Sequence, residues 1–149
     1  MRKALLSAAV GIMLITSGSA TGSGEESPVR NLEVQGKVIC VDEARGEVPC
    51  ADESMTFGFS ALGGKRYFFM PDDVRAKMFQ DQRVRERELV IKGWVRSRDQ
   101  IEITKVWSVK NGQRFDIHYF CAVCNIKAHV GGLCWCCQED FELREAPID

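Results

Sequence analysis

The sequence predicts a mainly β protein: a five-stranded barrel with one short helix, followed by a small hairpin unit built around four cysteines. Three observations carry this prediction. Apolar and polar residues alternate with a period of two in separate short runs between residues 32 and 109. Glycine- and proline-containing stretches punctuate those runs. Two Cys-x-x-Cys pairs then follow one another, with nine residues between them.

The first strand is read at Leu32 to Val41. Leu32, Val34, Gly36, Val38 and Cys40 alternate with Glu33, Gln35, Lys37, Ile39 and Val41, and the first set faces the core. A polar stretch with Gly46 and Pro49 interrupts. Met55 to Leu62 and Lys65 to Met70 form two strands around Gly63-Gly64, a hairpin signal. Pro71, Asp72 and Asp73 mark a helix start, because proline suits the first turn and carboxylates favour the positive end of the helix dipole. Val74, Met78 and Phe79 give that helix a short apolar face. Arg87 to Arg98 is the fourth strand, with Leu89, Ile91 and Val95 on one side and Val90 and Trp94 on the other. Gln100 to Val109 is the fifth, ended by Asn111-Gly112.

Five strands with a short helix between the third and fourth is the order of an OB-type barrel. The Gly36-Lys37-Val38 opening, the Leu89-Val90-Ile91-Lys92-Gly93-Trp94-Val95 strand and Ile101-Glu102-Ile103 resemble exported bacterial OB-fold proteins of poorly defined role. The resemblance covers about residues 32–110. It implies a cysteine pair between the first two strands, and Cys40 and Cys50 stand at that place. A disulfide there closes a short loop. Two reduced thiols, or a metal or redox pair, are the other readings.

The chain has 149 residues and a formal net charge of −1. Its start has the three parts of a secretory leader: Arg2 and Lys3, an apolar run from Ala4 to about Ile15, then Ser17, Gly18, Ser19 and Ala20. The apolar run is about a dozen residues, and a spanning helix needs about 20. An uncleaved anchor is the alternative. Cleavage after Ala20 leaves 129 residues and removes two of the 20 basic residues, giving 18 basic against 21 acidic and a net charge of −3. Residues 21–30, rich in Gly, Ser and charge, form a flexible lead-in. The barrel then occupies 31–112 and the cysteine-rich unit 113–149. The short link from Gln113 to Ile117 predicts that the two pack together. A leader places the mature chain in the periplasm or outside the cell.

All seven cysteines lie beyond the leader, five of them in the tail. Cys121 and Cys124 form one Cys-x-x-Cys pair, and Cys134 and Cys137 the other. Each pair can turn back so that both sulfurs face one ion, and two such turns complete a tetrahedral set. Asn125 follows the first pair, where a left-handed residue is needed. Gly131-Gly132 offers a turn between the pairs. With Tyr119-Phe120 before the pairs and Phe141-Glu142-Leu143 after them, residues 118–145 resemble rubredoxin-like domains and zinc ribbons. The resemblance implies a four-thiolate site for zinc, with iron as the alternative. The segment departs from the pattern in having Asn125 and Gln138 where glycine is usual, and in carrying an extra cysteine, Cys136. Cys136 and His129 are therefore further candidate ligands, His118 a weaker one, and a disulfide knot is the competing reading of the tail.

A closed four-cysteine site leaves no position for water or substrate, so the sequence points away from an enzyme. It carries no GxSxG, no HExxH, no phosphate loop and no CxxCH. The arginines between residues 83 and 98 are interleaved with Asp81, Glu86, Glu88 and Asp99, which argues against nucleic acid as a partner. The expected role is a non-enzymatic binding module for an unidentified protein or small ligand. Envelope handling of copper or zinc through the surplus thiol of Cys136, and rubredoxin-like or thiol redox chemistry, are the alternatives.

Overall fold

The computed structural model describes residues 29–51 and 56–148. The expected leader, nearly all of the lead-in and Met55 lie outside the described residues. The protein is mainly β, and nine strands are present among the described residues against the five expected.

A ring of strands closes because β1 (Arg30–Val41) has two partners. Its first half pairs antiparallel with β5 (Leu89–Val95), and its second half antiparallel with β3 (Thr56–Ala61). Gly36 stands at the changeover, opposite both Ala61 and Leu89. A Cβ there would lie 2.0 Å from the carbonyl oxygen of Ser60, so the close approach of the backbones requires glycine. β3 pairs antiparallel with β4 (Arg66–Phe69), β4 parallel with β6 (Gln100–Lys110), and β6 antiparallel with β5. The ring therefore runs β1-β3-β4-β6-β5 and back to β1. It is not a regular barrel. β4 meets β6 at only Phe68–Gln100 and Phe69–Ile101, and the β5–β6 register shifts between Lys92 and Gly93. β2 (Glu47–Val48), in the polar stretch, adds a short edge to β1. The Cys40–Cys50 disulfide holds this loop, with its Cα atoms 5.3 Å apart.

The interior of the ring is filled by apolar side chains, with Leu89, Ile91 and Val95 on one face of β5 as alternation placed them. Phe59, Leu89, Ile91, Ile101 and Ile103 have almost no exposure. Phe79 enters from the connection between β4 and β5 and stacks on Phe69 with ring centroids 5.0 Å apart. That connection is a 3-10 helix (Val74–Gln80) followed by a single turn, α1 (Gln82–Arg85). Asp73 caps the first by accepting from the Arg75 N–H at 2.9 Å. Its other oxygen accepts from the Ile103 N–H at 2.6 Å, tying the helix to β6. Val74 does not share the apolar face with Met78 and Phe79; it is 61% exposed while they are buried. A 3-10 helix stacks every third residue, so Val74 lines up with Lys77 and Gln80, which are also exposed.

The chain does not end its β structure at Asn111-Gly112. Both residues have positive φ, 52° and 76°, the geometry of a tight hairpin turn. The turn leads into β7 (Gln113–Cys121), so the expected link from Gln113 to Ile117 is itself strand. One edge of β7 pairs with β6 and then with β8 (Ile126–Ala128). The other edge pairs with β9 (Glu142–Pro147). Side chains add to this join. Glu145 of β9, with its side chain only 12% exposed, meets Arg87, Lys110 and the Ser108 hydroxyl of the ring. Tyr119 Oη donates to Asp81 Oδ2 at 2.9 Å. Among the described residues no helix is long and apolar enough to cross a membrane.

Candidate metal centre

The two Cys-x-x-Cys pairs occupy equivalent turns. The first lies between β7 and β8, the second in the connection from β8 to β9. In the first turn the N–H groups of Cys124 and Val123 donate to the Cys121 sulfur. In the second, those of Cys137 and Cys136 donate to the Cys134 sulfur. The residues that leave the turns, Asn125 and Gln138, are both left-handed, with φ of 56° and 64°. The two positions where glycine is usual thus adopt the conformation glycine would supply, at some cost in backbone energy. Gln138 offsets part of that cost by hydrogen bonding back to the Cys134 carbonyl through its own N–H at 2.9 Å and its side chain at 3.2 Å.

These turns bring four sulfurs together. Those of Cys121, Cys124, Cys134 and Cys137 all lie within 4.8 Å of one another. Cys121 Sγ and Cys137 Sγ are 3.4 Å apart. Four thiolates around a zinc ion at about 2.3 Å would be about 3.8 Å apart, so the group is within a small adjustment of tetrahedral ligation. Cys121 and Cys134 are buried, while Cys124 and Cys137 are partly exposed. This cluster can hold a metal ion, and none of its members is in a disulfide.

The electrostatics differ between the two turns. The N–H groups of Cys137 and Cys136, the largest influence on Cys134, bring its thiol down to about 7. Cys121 receives the same kind of N–H from Cys124, but burial and the neighbouring thiols of Cys137 and Cys134 leave its pKa above the ordinary value. Cys124 is pushed up by hydrogen bonding with Cys136 and then Cys137. The neighbouring thiols thus oppose the ionisation of Cys121 and Cys124. A bound cation reverses this by stabilising every thiolate at once.

Cys136 lies outside the four-sulfur group, and its side chain is exposed. Its thiol nevertheless stands beside that of Cys124. His129 is also outside the group and exposed. Burial, then the charges of Arg75, Lys105 and Lys127, lower its pKa. His118 faces Asp116, with Nδ1 3.3 Å from Oδ2. Cys40 and Cys50 are joined to each other and take no part.

Tyr119, Gly131 and Phe141 stand out in the sequence, but the contacts by which they brace the centre do not. Gly131 is more than a turn residue: a Cβ there would lie 2.7 Å from the Tyr119 ring, so the loop rests directly on it. Phe141 is buried and packs against Trp135 with ring centroids 5.4 Å apart. The Cys134 N–H donates to the Glu139 carbonyl at 2.8 Å, and the Phe141 N–H to the Gly132 carbonyl at 2.9 Å, which closes the second turn. No family model, curated protein or solved structure matches the chain.

Proposed function

We propose that this chain is an exported, non-enzymatic binding module whose cysteine unit is held by one structural metal ion, zinc by preference. Cys121, Cys124, Cys134 and Cys137 would be its ligands. The observation that carries the reading is the convergence of their four sulfurs from two equivalent turns, each with N–H groups directed at its leading sulfur. Zinc needs no redox tuning and is the usual ion of closed four-thiolate sites. Such a site leaves no coordination position for a substrate, so the ion contributes folding free energy and no chemistry.

The strand ring is read here as an OB-type barrel, and the support is its pairing order with one parallel contact between β4 and β6. That barrel is proposed to engage a protein or a small ligand. Nucleic acid is disfavoured because Arg83, Arg87 and Arg96 are each spent on a carboxylate, Asp81, Glu145 and Glu102. Export is supported by the leader-like start of the sequence and by the Cys40–Cys50 disulfide, which persists in oxidising compartments.

One observation favours a second reading, envelope handling of copper or zinc: the exposed thiol of Cys136 beside Cys124 could take over a ligand position as an ion enters or leaves. Elemental analysis of the exported chain tests both. About one zinc per chain, retained against a weak chelator, supports the structural site. Copper bound in variable amounts supports handling, and iron with a thiolate colour moves the reading to electron transfer.

A further inference from the structure

A cleft of about 460 Å³ opens between the ring and the cysteine unit. One wall is the helical connection of the ring, with Lys77, Asp81 and Arg83. The other is the loop that leads into the second cysteine turn and the residues that leave it, with Gly131, Gly132 and Asp140. Tyr119 lines the cleft between them, where its hydroxyl is tied to Asp81. The volume is in the range of small-molecule sites.

The chemistry of the lining is specific. Asp81 and Arg83 neutralise each other through hydrogen bonds of 2.8 and 3.0 Å, and Tyr119 supports the same carboxylate. Arg83, then burial and Tyr119, act on Asp81, and the net effect holds it ionised, below the ordinary carboxylate range. Lys77 and Asp140, on opposite walls, have no charged partner among the described residues. The Gly131-Gly132 wall is bare backbone. A side chain at 131 would strike Tyr119, and Gly132 has a φ of +111°, which disfavours any other residue. The N–H groups of Gly131 and Gly132 donate to no acceptor among the described residues.

We propose that this cleft is a binding site for a short zwitterionic peptide of dipeptide size. Its ammonium is matched by Asp140, its carboxylate by Lys77, and its amide carbonyl by the unpaired N–H groups of Gly131 and Gly132. Backbone N–H groups that recognise the main chain of a peptide are a recurrent binding mode. The proposal rests on the metal-centre reading, because the second cysteine turn must be fixed on the first for this wall to stand against the ring.

The test is a titration of the 15N-labelled, zinc-loaded mature chain with alanylalanine, and separately with its N-acetyl methylamide, which has no charges. At about 10 mM even a site with a Kd near 1 mM is filled. Alanylalanine shifts the amide signals of Gly131 and Gly132, and the neutral analogue does not. Lys77→Met and Asp140→Asn, both at exposed positions, each weaken binding about tenfold, or 1.4 kcal/mol. Absence of any shift overturns the proposal, as do equal shifts with the neutral analogue or in both variants. Zinc content measured in the same tube separates the failures. A zinc-bound chain that binds no dipeptide leaves the metal reading standing, and a chain without metal brings both down.

Discussion

Cys134 and Cys136 are two residues apart in the sequence and have opposite surroundings. Cys134 has no measurable exposure and receives two backbone N–H groups at its sulfur; Cys136 is exposed and supplies one of them. Cys134→Ser should therefore empty the site, so that metal per chain falls from about one to near zero. Cys136→Ser leaves metal content and melting temperature unchanged. Equal losses in the two variants would show that the ligand set has been misassigned. Asp116 supports a second prediction. Burial works against its charge, but hydrogen bonds from Lys105 and Lys127 outweigh burial and bring its pKa down from 3.8 to about 2. A carboxylate with a depressed folded pKa contributes stability above its unfolded pKa and loses it as pH falls through the folded one. The stability lost in Asp116→Asn should therefore be full above pH 3.8 and vanish toward pH 2. Its size is about 1–2 kcal/mol, because the two lysines are nearly half exposed and water screens them. Denaturation curves of both proteins across that range check it, and a difference that persists below pH 2 would contradict the assignment.

At the level of elements, legibility followed the range of the interaction. β5 and β6 were readable as strands, and Leu89, Ile91, Ile101 and Ile103 in them are buried; in β1 the period of two breaks at the end, where Ile39 and Val41, read as facing away from the core, are buried along with Cys40. β7 was missed because Asn111-Gly112 was read as an end when its two left-handed residues make it a hairpin turn. β8 and β9 carry no strand signal of their own. β8 is three residues long, and β9, Glu142–Pro147, is polar and lies along β7. The four clustered cysteines were legible because their spacing is local. The braces around them, Tyr119 on Asp81, Glu145 on the ring and Gly131 on Tyr119, join residues far apart in sequence and leave no local pattern. The Cys40–Cys50 loop belongs to this scale too. It has only three residues of strand, Val41, Glu47 and Val48, and among side chains between the cysteines only that of Val41 is buried, so the crosslink replaces packing. A closed loop of about this size constrains the unfolded chain by about 3 kcal/mol. The double variant Cys40→Ser/Cys50→Ser should lower unfolding free energy by 2–3 kcal/mol, about that amount, and leave metal content unchanged. Loss of metal in that variant would mean that the ring and the cysteine unit depend on each other more closely than their separate ties indicate.

For the molecule as a whole, the cysteine unit is an extension of the ring. The β6–β7 hairpin carries the backbone across, β9 returns along β7, and Glu145 and Tyr119 fasten the unit at two separate points. What the unit lacks is an interior of its own. Its buried side chains are few, chiefly Ile117, Tyr119, Ala128, Phe141 and two of the cysteines, Cys121 and Cys134. An ion bridging the two turns would supply what packing does not. X-ray absorption spectroscopy at the metal edge of the purified, unchelated chain tests this most directly. The expected spectrum is that of a shell of four sulfurs at about 2.3 Å, with no nitrogen or oxygen neighbour. A shell that includes nitrogen or oxygen, or a chain that carries no metal while Cys121, Cys124, Cys134 and Cys137 are joined in disulfides, would contradict it.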